Sequence, residues 1–186
     1  GYDTTPVWSP DGRMICWISM ERDGYEADKQ RLMVAEIDGM KVGTIRELSA
    51  GFKYNVAEPV WDKDSRHIWF NALTEGLQAL YVTDLKGNIT RKTEEGLWYD
   101  FTTPFFIDRA DGREILYTTW QSMDFPTEIV AFNTATQTGT KVTDENGHIL
   151  SQLKEHRTEA RMVKTVDGKD MLTWVLYPPE FDQSKK

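Results

Sequence analysis

The chain of 186 residues is long enough for one domain or a large part of one. Its composition, 39 % hydrophobic and 12 % aromatic, is typical of a packed core and excludes a disordered chain. The formal net charge of −8 repels phosphate and anionic lipid, so it argues against nucleic acid and membrane surfaces as partners. No apolar run approaches the ~20 residues that a membrane-spanning helix needs. Cys16, the single cysteine, lies in an apolar strand-like run and is expected to be a buried, inert thiol.

One motif occurs three times along the chain. The copies begin at Tyr2, Tyr54 and Tyr99. In each copy Asp or Asn follows the Tyr, a Pro comes a few residues later, and an aromatic residue lies two positions after the Pro. The copies are spaced by about 50 residues, a period typical of stacked or radially repeated structural units.

Each copy predicts four strands that are separated by turn residues. In the first copy, Pro10, Asp11 and Gly12 supply the turn chemistry between the first two strands. In chain order the predicted strands of the three copies cover residues 5–8, 14–20, 31–37 and 44–48; 57–61, 67–70, 79–85 and 89–93; and 102–106, 114–118, 128–132 and 139–142. No segment shows helical periodicity over ~11 residues.

Four strands per repeat, in tandem, indicate an all-β fold: a partial β-propeller with about three four-stranded antiparallel blades and a C-terminal hairpin. The predicted blades are residues 1–51, 52–97 and 98–150, and residues 151–186 form a linker and hairpin. A β-sandwich with accidental internal similarity is the alternative, and the matched turns argue against it. The strands at 5–8, 57–61 and 102–106 are expected nearest the propeller axis. The repeated aromatic residues are expected to be core, packing blade on blade: Trp8, Trp61 and Phe106.

The tail departs from the repeat. Residues 162–165 and 171–177 predict a hairpin around the turn at 166–170, and Pro178 and Pro179 end its second strand. Residues 181–186 are predicted to form a polar linker. The apolar strand 171–177 needs another surface to cover it.

Four segments resemble known proteins. The segment 8–12, Trp-Ser-Pro-Asp-Gly, is similar to the repeat of TolB-type propellers. The segments 165–169 and 174–182 resemble the junction in prolyl oligopeptidase family enzymes, where the chain leaves the propeller for an α/β-hydrolase domain. The loop 20–29 resembles bacterial dipeptidyl-peptidases and acylaminoacyl-peptidases.

The resemblance implies a propeller of seven or eight blades that gates a Ser-Asp-His hydrolase domain, admits peptides and helps to hold their amino end. Its implied partners are that missing domain, the remaining blades and peptide substrates. It favours a periplasmic or other extracytoplasmic location, with any signal segment upstream, and leaves a cytoplasmic one open. The alternative function is a free-standing TolB-like propeller that mediates protein–protein interaction.

We assign no catalytic, cofactor-binding or metal-binding residue from the sequence. A nucleophile elbow needs Gly-x-Ser-x-Gly, and no serine has that setting: Ser9, Ser19, Ser49, Ser65, Ser122, Ser151, Ser184. His67, His148 and His156 lack metal-ligand spacing. No glycine-rich phosphate loop is present.

One charged loop could either bind a ligand or have a purely structural role. It contains the carboxylates of Glu21, Glu26 and Asp28 close to Arg22 and Arg31. A carboxylate in this loop could bind a substrate ammonium. The favoured interpretation is a solvated or mutually paired loop.

Three blades form an arc, whose end faces would be uncovered. We expect Trp17, Trp69 and Tyr117, on the second strands, close to such faces. The sequence therefore also predicts self-association of the chain.

Overall fold

The first sheet contains five short antiparallel strands. The computed structural model describes residues 2–97, 99–154, 156–182 and 184. Gln183, Lys185 and Lys186 of the predicted polar tail lie outside the described residues. The strands of this sheet are β1 (Asp3–Trp8), β2 (Met14–Ser19), β3 (Arg31–Asp38), β4 (Lys41–Val42) and β5 (Arg46–Glu47). They have the order β1-β2-β3-β4, with β5 also pairing with β3.

The second and third sheets repeat this plan. The second is a four-stranded sheet in sequential order: β6 (Ala57–Trp61), β7 (His67–Thr74), β8 (Leu77–Asp84) and β9 (Ile89–Arg91). In the third, both β10 and β11 pair with β12: β10 (Asp100–Phe101), β11 (Phe106–Asp108), β12 (Ile115–Gln121), β13 (Glu128–Asn133) and β14 (Thr138–Lys141). We call the three sheets blades 1, 2 and 3.

A hairpin follows the third blade and forms a separate two-stranded sheet. Its strands are β15 (Arg157–Lys164) and β16 (Asp170–Tyr177). The helical elements are a 3₁₀ turn, Ala110–Gly112, and a single helical turn, α1 (Gly147–Leu150). Within the described residues no helix has the length and apolar character to cross a bilayer. The predicted all-β fold with three antiparallel blades and a C-terminal hairpin is confirmed.

The first strands of the blades are interrupted near their proline. In blade 1 the register with β2 shifts between Thr4 and Val7, and in blade 2 the register with β7 shifts between Ala57 and Val60. The residue before the proline has a left-handed backbone in both cases, with φ of 52° at Thr5 and 49° at Glu58. An extra residue in one strand of an antiparallel pair produces such a bulge.

Several predicted strands have different bounds in the structure; β7 continues to Thr74, and β15 begins at Arg157 instead of residue 162. The strand predicted at 102–106 is not continuous in the structure: its residues lie between β10 and β11, and Phe106 alone belongs to a strand. Backbone bonds from Phe105 to Tyr117 and from Thr102 to Thr119 still hold the interrupted segment beside β12. The strand at 44–48 is shortened to Arg46–Glu47.

The hydrophobic core lies in the seams between blades. One buried cluster joins blades 1 and 2 and includes Cys16, Leu32 and Phe70, each 0 % exposed. A second cluster joins blades 2 and 3 and includes Leu80 and Phe132. Burial raises the pKa of the Cys16 thiol to about 12, so this cysteine is buried and protonated at neutral pH.

The aromatic residues of the repeat are not all core. Trp61 is 7 % exposed and packs in the first seam, but Trp8 is 54 % and Phe106 is 43 % exposed, so the core prediction is wrong for these two. The repeated aromatic faces the preceding blade: Trp61 reaches blade 1, and Lys63 of blade 2 lies 4.6 Å above the Phe106 ring. Trp8 has no preceding blade among the described residues.

The prediction that Trp17, Trp69 and Tyr117 lie close to uncovered sheet faces is wrong for Trp69. Trp69 is 1 % exposed, because blade 3 covers it in the second seam. Trp17 and Tyr117 are half-buried, as expected for residues near a sheet face that is partly open.

Candidate functional site

The candidate functional site lies at one end of the strands of the three blades. Because antiparallel strands alternate in direction, the connections between the second and third strands of all blades lie on the same side. These are the loop 20–30 in blade 1, the turn 75–76 in blade 2 and the loop 122–127 in blade 3. We call this side, together with the hairpin that contacts it, the loop face.

The hairpin contacts the loop face at the turn of blade 2. Gly76 has φ of +82°, and a Cβ atom there would lie 2.8 Å from Leu172 Cδ2 and 3.1 Å from Trp174 Nε1. Only glycine adopts this backbone conformation at low cost and also leaves room for both side chains. β16 therefore packs directly against the backbone of Gly76.

A second contact joins the linker to blade 3. His156 Nε2 lies 2.8 Å from Asp124 Oδ1 in the loop between β12 and β13. On the other side of the hairpin the Arg157 guanidinium lies 4.1 Å from the centre of the Tyr177 ring. Arg161 and Glu159 both contact the Tyr177 hydroxyl, and this ring is 8 % exposed. The base of the hairpin is therefore ordered by its own side chains and by blade 3.

A cavity of about 250 Å³ separates the hairpin from blades 2 and 3. Asp100, Asp124 and Trp174 line it, and its lining within the described part of the chain contains neither Lys nor Arg. Asp100 Oδ1 accepts a 2.8 Å bond from the Gln78 amide, which fixes the carboxylate at the cavity. Thr158 Oγ1, which also lines the cavity, is buried and has no hydrogen-bond partner among the residues that the structure describes. The arrangement suits a hydrogen-bond donor or a cation next to an indole ring.

The charged loop of blade 1 is internally paired. Asp28, 9 % exposed, accepts hydrogen bonds from the backbone N–H of Arg22 at 2.7 Å and from its Nε at 2.8 Å. The bonds with Arg22 hold the pKa of the Asp28 carboxyl below its ordinary value. The Arg22 guanidinium stacks 3.9 Å from the Tyr25 ring. Glu21 and Glu26 are exposed, and among the described residues the loop carboxylates form no cluster of three that could hold a metal ion.

The serines and histidines considered as catalytic candidates are spread over the fold. Ser9 is 3 % exposed; its hydroxyl donates to Asp11 and accepts the Met14 amide, which makes it a turn residue. Ser49 Oγ accepts the Leu32 amide at 2.9 Å in the interior of blade 1. His67 Nδ1 lies 2.6 Å from Asp64 in an exposed turn. Within the described ranges no three His, Cys, Asp or Glu side chains are grouped as a metal site.

An ion-pair network crosses the second seam. Asp62, 3 % exposed, receives the guanidinium of Arg109 at 3.1 and 2.5 Å and the Trp69 indole N–H at 3.1 Å. Glu114 receives Lys92 at 2.8 Å and Arg109 at 3.3 Å. Burial opposes ionisation of Asp62, but the bonds from Arg109 and Trp69 outweigh it and lower its pKa. The sequence analysis did not predict this network. The feature that could have indicated it is Asp62, a charged residue at the repeat position that Ser9 occupies in blade 1.

Comparison with known proteins gives two relatives that match the whole chain. The chain is 38 % identical over 186 residues to dipeptidyl-peptidase 5 of Porphyromonas gingivalis. It is 40 % identical over 190 residues to dipeptidyl-peptidase 5 of Porphyromonas endodontalis. In both cases it covers 26 % of the relative, so it spans about a quarter of the length of the curated relatives it matches. No protein-family model matches the chain.

Solved structures show the same fold. An isopeptidase, AtxE2, matches 94 % of this chain and 26 % of its own length, with a TM-score of 0.67 and 15 % identity. Pyrococcus horikoshii acylaminoacyl peptidase matches 98 % of this chain and 33 % of its own length, with a TM-score of 0.56 and 16 % identity. The resemblance to peptidases of the prolyl oligopeptidase family that the sequence indicated is confirmed.

Proposed function

We propose that the chain is the C-terminal part of the propeller domain of a serine exopeptidase of the dipeptidyl-peptidase type. Residues 1–51, 52–97 and 98–150 are three blades, and residues 151–186 lead into an α/β-hydrolase domain. The proposal is supported by whole-length similarity to proteins named dipeptidyl-peptidase 5, of which the chain is about a quarter.

The observation that carries the proposal is the attachment of the hairpin to the loop face. Its contacts at Gly76 and at Asp124 direct the end of β16 to one defined side of the blades. A catalytic domain that follows Tyr177 would lie against the same loops. Peptides would then reach the active site past the blades, while a folded protein would be too wide.

The cavity under the hairpin supports the second part of the proposal, that the propeller helps to position the amino end of a peptide. Asp100 and Asp124 supply negative charge at the boundary between blade and hairpin. An ammonium group there would gain ion pairs that are weakly screened in a partly enclosed space. Asp124 Oδ1 lies 2.8 Å from His156 Nε2, whereas no cation lies beside Asp100 among the described lining residues, so we expect Asp100 to matter more.

The test uses the longer polypeptide that contains this chain together with its following sequence. We expect it to release dipeptides from a short unblocked peptide and to leave a folded protein with the same N-terminal sequence intact. An Asp100→Asn variant should raise KM for the unblocked peptide about tenfold, the scale of one charge-assisted bond, while an N-acetylated substrate stays equally poor in both proteins. A Glu145→Gln variant, altered in an exposed turn, is the control.

Two outcomes contradict the proposal. If the longer polypeptide shows no labelling by a serine-directed fluorophosphonate and no peptide release, the peptidase assignment is wrong, and a free-standing interaction propeller becomes the better interpretation. If Asp100→Asn and Glu145→Gln have the same KM as the unaltered protein, the cavity under the hairpin does not position the peptide.

A further inference from the structure

Blades 1 and 3 each have one face that no other described blade covers. The first buried cluster joins blade 1 to blade 2 and the second joins blade 2 to blade 3, so both faces of blade 2 are covered. In both seams the forward face of one blade, directed toward the following repeat, packs on the backward face of the next blade. The uncovered faces are therefore the backward face of blade 1 and the forward face of blade 3.

The backward face of blade 1, which we call the head face, is apolar. It consists of two pairs of cross-strand neighbours, Trp8 with Ile15 and Trp17 with Met33. Cross-strand neighbours point to the same side of a sheet, and residues that alternate with these four belong to the first buried cluster. Trp8 is 54 % exposed, and the other three are half-buried. The Trp17 indole donates to Asp3 Oδ1 at 3.0 Å, so its polar atom already has a partner within the blade.

The forward face of blade 3, which we call the tail face, is mostly apolar as well. It also consists of two cross-strand pairs, Tyr117 with Ala131 and Thr119 with Ile129. All four residues are half-buried, whereas the residues that alternate with them are buried, most of them in the second cluster. The Thr119 hydroxyl lies 2.9 Å from the Thr102 hydroxyl, so it too has a partner within its own blade. A partner that covered this face would not have to satisfy the Thr119 hydroxyl.

The first seam shows how a tryptophan at the position of Trp8 packs when another blade covers it. Trp61 pairs with Ile68 at the place in blade 2 where Trp8 pairs with Ile15 in blade 1. Trp61 is 7 % exposed, and its Nε1 donates to the backbone oxygen of Val7 at 2.9 Å. The head face therefore has the aromatic anchor of a seam, but among the described residues no preceding blade receives it.

We propose that two copies of this chain associate head to tail, with the head face of each copy packed on the tail face of the other. Trp8 of one copy then takes on blade 3 of the second copy the place that Trp61 takes on blade 1. Three blades from each copy make six, which lies within the range of about four to eight blades in known propellers, so both junctions close in one ring.

The occupant is a second copy because the chain contains both halves of such a seam. Head-on-head packing would place two backward faces together, which neither seam does. In a longer polypeptide, further blades of the same chain would occupy these two faces. The association is therefore a property of the 186-residue chain, and it does not rest on the proposed function.

Sedimentation of the chain at low micromolar concentration tests the proposal with one blocking variant for each face. Trp8→Asp blocks the head face and Tyr117→Asp blocks the tail face. Each should weaken the dimer about tenfold or more, because the junction would bury a charge without a partner. Leu73→Asp introduces the same charge on blade 2, at a side chain that is 62 % exposed, and should leave the dimer unchanged. An equimolar mixture of the two blocked variants should again form a dimer, through its one intact head face and one intact tail face.

Three results of this experiment would overturn the inference. The first is an unaltered chain that is monomeric. The second is a dimer that Trp8→Asp disrupts and Tyr117→Asp leaves intact, because that pattern indicates head-on-head packing. The third is a mixture of folded blocked variants that is no more associated than either variant alone. Circular dichroism shows whether each variant is folded.

A second experiment avoids buried charges and decides the question even if Tyr117→Asp fails to fold. Ile15→Cys places a thiol on the head face and Ile129→Cys places one on the tail face, while the native Cys16 is 0 % exposed. A short bismaleimide should cross-link a mixture of the two variants into dimers, and each variant alone should remain a single chain. Cross-linked dimers of Ile15→Cys alone, or a mixture without cross-linked dimers, would refute head-to-tail packing.

Discussion

The indole Nε1 of Trp61 donates a 2.9 Å hydrogen bond to the backbone oxygen of Val7, which lies 54 residues earlier in the chain. This bond crosses the seam between blades 1 and 2. It gives the repeated aromatic residue a second role besides burial, because it anchors the innermost strand of the preceding blade.

Trp61→Phe is expected to destabilise the chain by about 1–3 kcal/mol, since it leaves the Val7 carbonyl without its donor and opens a small cavity. Trp8→Phe is the matched control. It makes the same substitution at the same repeat position on a side chain that is 54 % exposed, so it should change stability by less than about 0.5 kcal/mol. Urea denaturation followed by circular dichroism measures both. Equal losses in the two variants would show that the seam bond contributes nothing.

The network around Asp62 predicts a specific loss of stability in acid. Because its pKa in the fold lies below the ordinary value of 3.8, Asp62 stabilises the fold above that pH. The contribution is lost as the pH falls through the lower, native pKa. Asp62→Asn should cost about 1–3 kcal/mol at pH 7, and the gap between variant and unaltered chain should narrow below about pH 4.

Asp111→Asn is the control for that experiment, because Asp111 is an exposed turn residue whose side chain is 82 % accessible. Its effect should stay below about 0.5 kcal/mol at both pH values. A gap for Asp62→Asn that is the same at pH 7 and pH 3 would contradict the assignment of the acid sensitivity to this carboxylate.

Gly76 predicts how firmly the hairpin is attached. Gly76→Ala introduces a Cβ within 2.8 Å of Leu172 and should release β16, so the amides of β15 and β16 should exchange with solvent faster. Gly96→Ala has the same backbone penalty, with φ of +84°, but no atom within 4 Å of the new Cβ. Hydrogen exchange read by mass spectrometry separates them: only the first variant should change residues 157–177.

The chain by itself should hydrolyse neither dipeptide nor acyl-amino-acid chromogenic substrates. Catalysis of that kind needs a nucleophile beside a general base, and Ser9 and Ser49 are engaged in turn and strand bonds instead. A serine-directed fluorophosphonate provides the measurement. Labelling that disappears when a single serine is replaced would refute the expectation.

Exposed apolar side chains predict self-association at low micromolar concentration. Trp8, Phe105 and Met162 are between 54 % and 68 % exposed, and β15 and β16 each have an unpaired edge. Such surface rarely stays uncovered in a monomer. Sedimentation should show species larger than one chain, and Trp8→Ser should lower their proportion. A monomer that binds no hydrophobic dye would show that the blades cover their own faces.

The sequence was sufficient for the fold because the repeat is local. The spacing from Tyr to Pro to aromatic residue, followed by turn residues, predicts strands and their order in all three copies. The same spacing does not tell Trp8 from Trp61, since their burial depends on whether another blade packs against them. The Asp62–Arg109 pair was not predictable for a similar reason, since its members are 47 residues apart and meet only when two blades pack.

The candidate site was harder to foresee than the fold. The loop of blade 1 is rich in charged residues, which made it a candidate binding site in the sequence. In the structure Asp28 and Arg22 are hydrogen-bonded to each other. The cavity under the hairpin contains Asp100 and Asp124, which come from two separate segments of blade 3 and are unremarkable in the sequence.

The two buried clusters lie between neighbouring sheets. A blade that is duplicated or deleted therefore also changes the interfaces with its neighbours. A new blade must offer one matching face to each neighbour, and its two faces differ: the Trp61 side accepts blade 1, and the Trp69 side accepts blade 3. A tandem copy of residues 52–97 would bring a Trp69 side against a Trp61 side, a pairing absent from the present seams. Because each repeat contacts only its neighbours, the stability of such an array would depend on this new interface as well as on the repeats themselves.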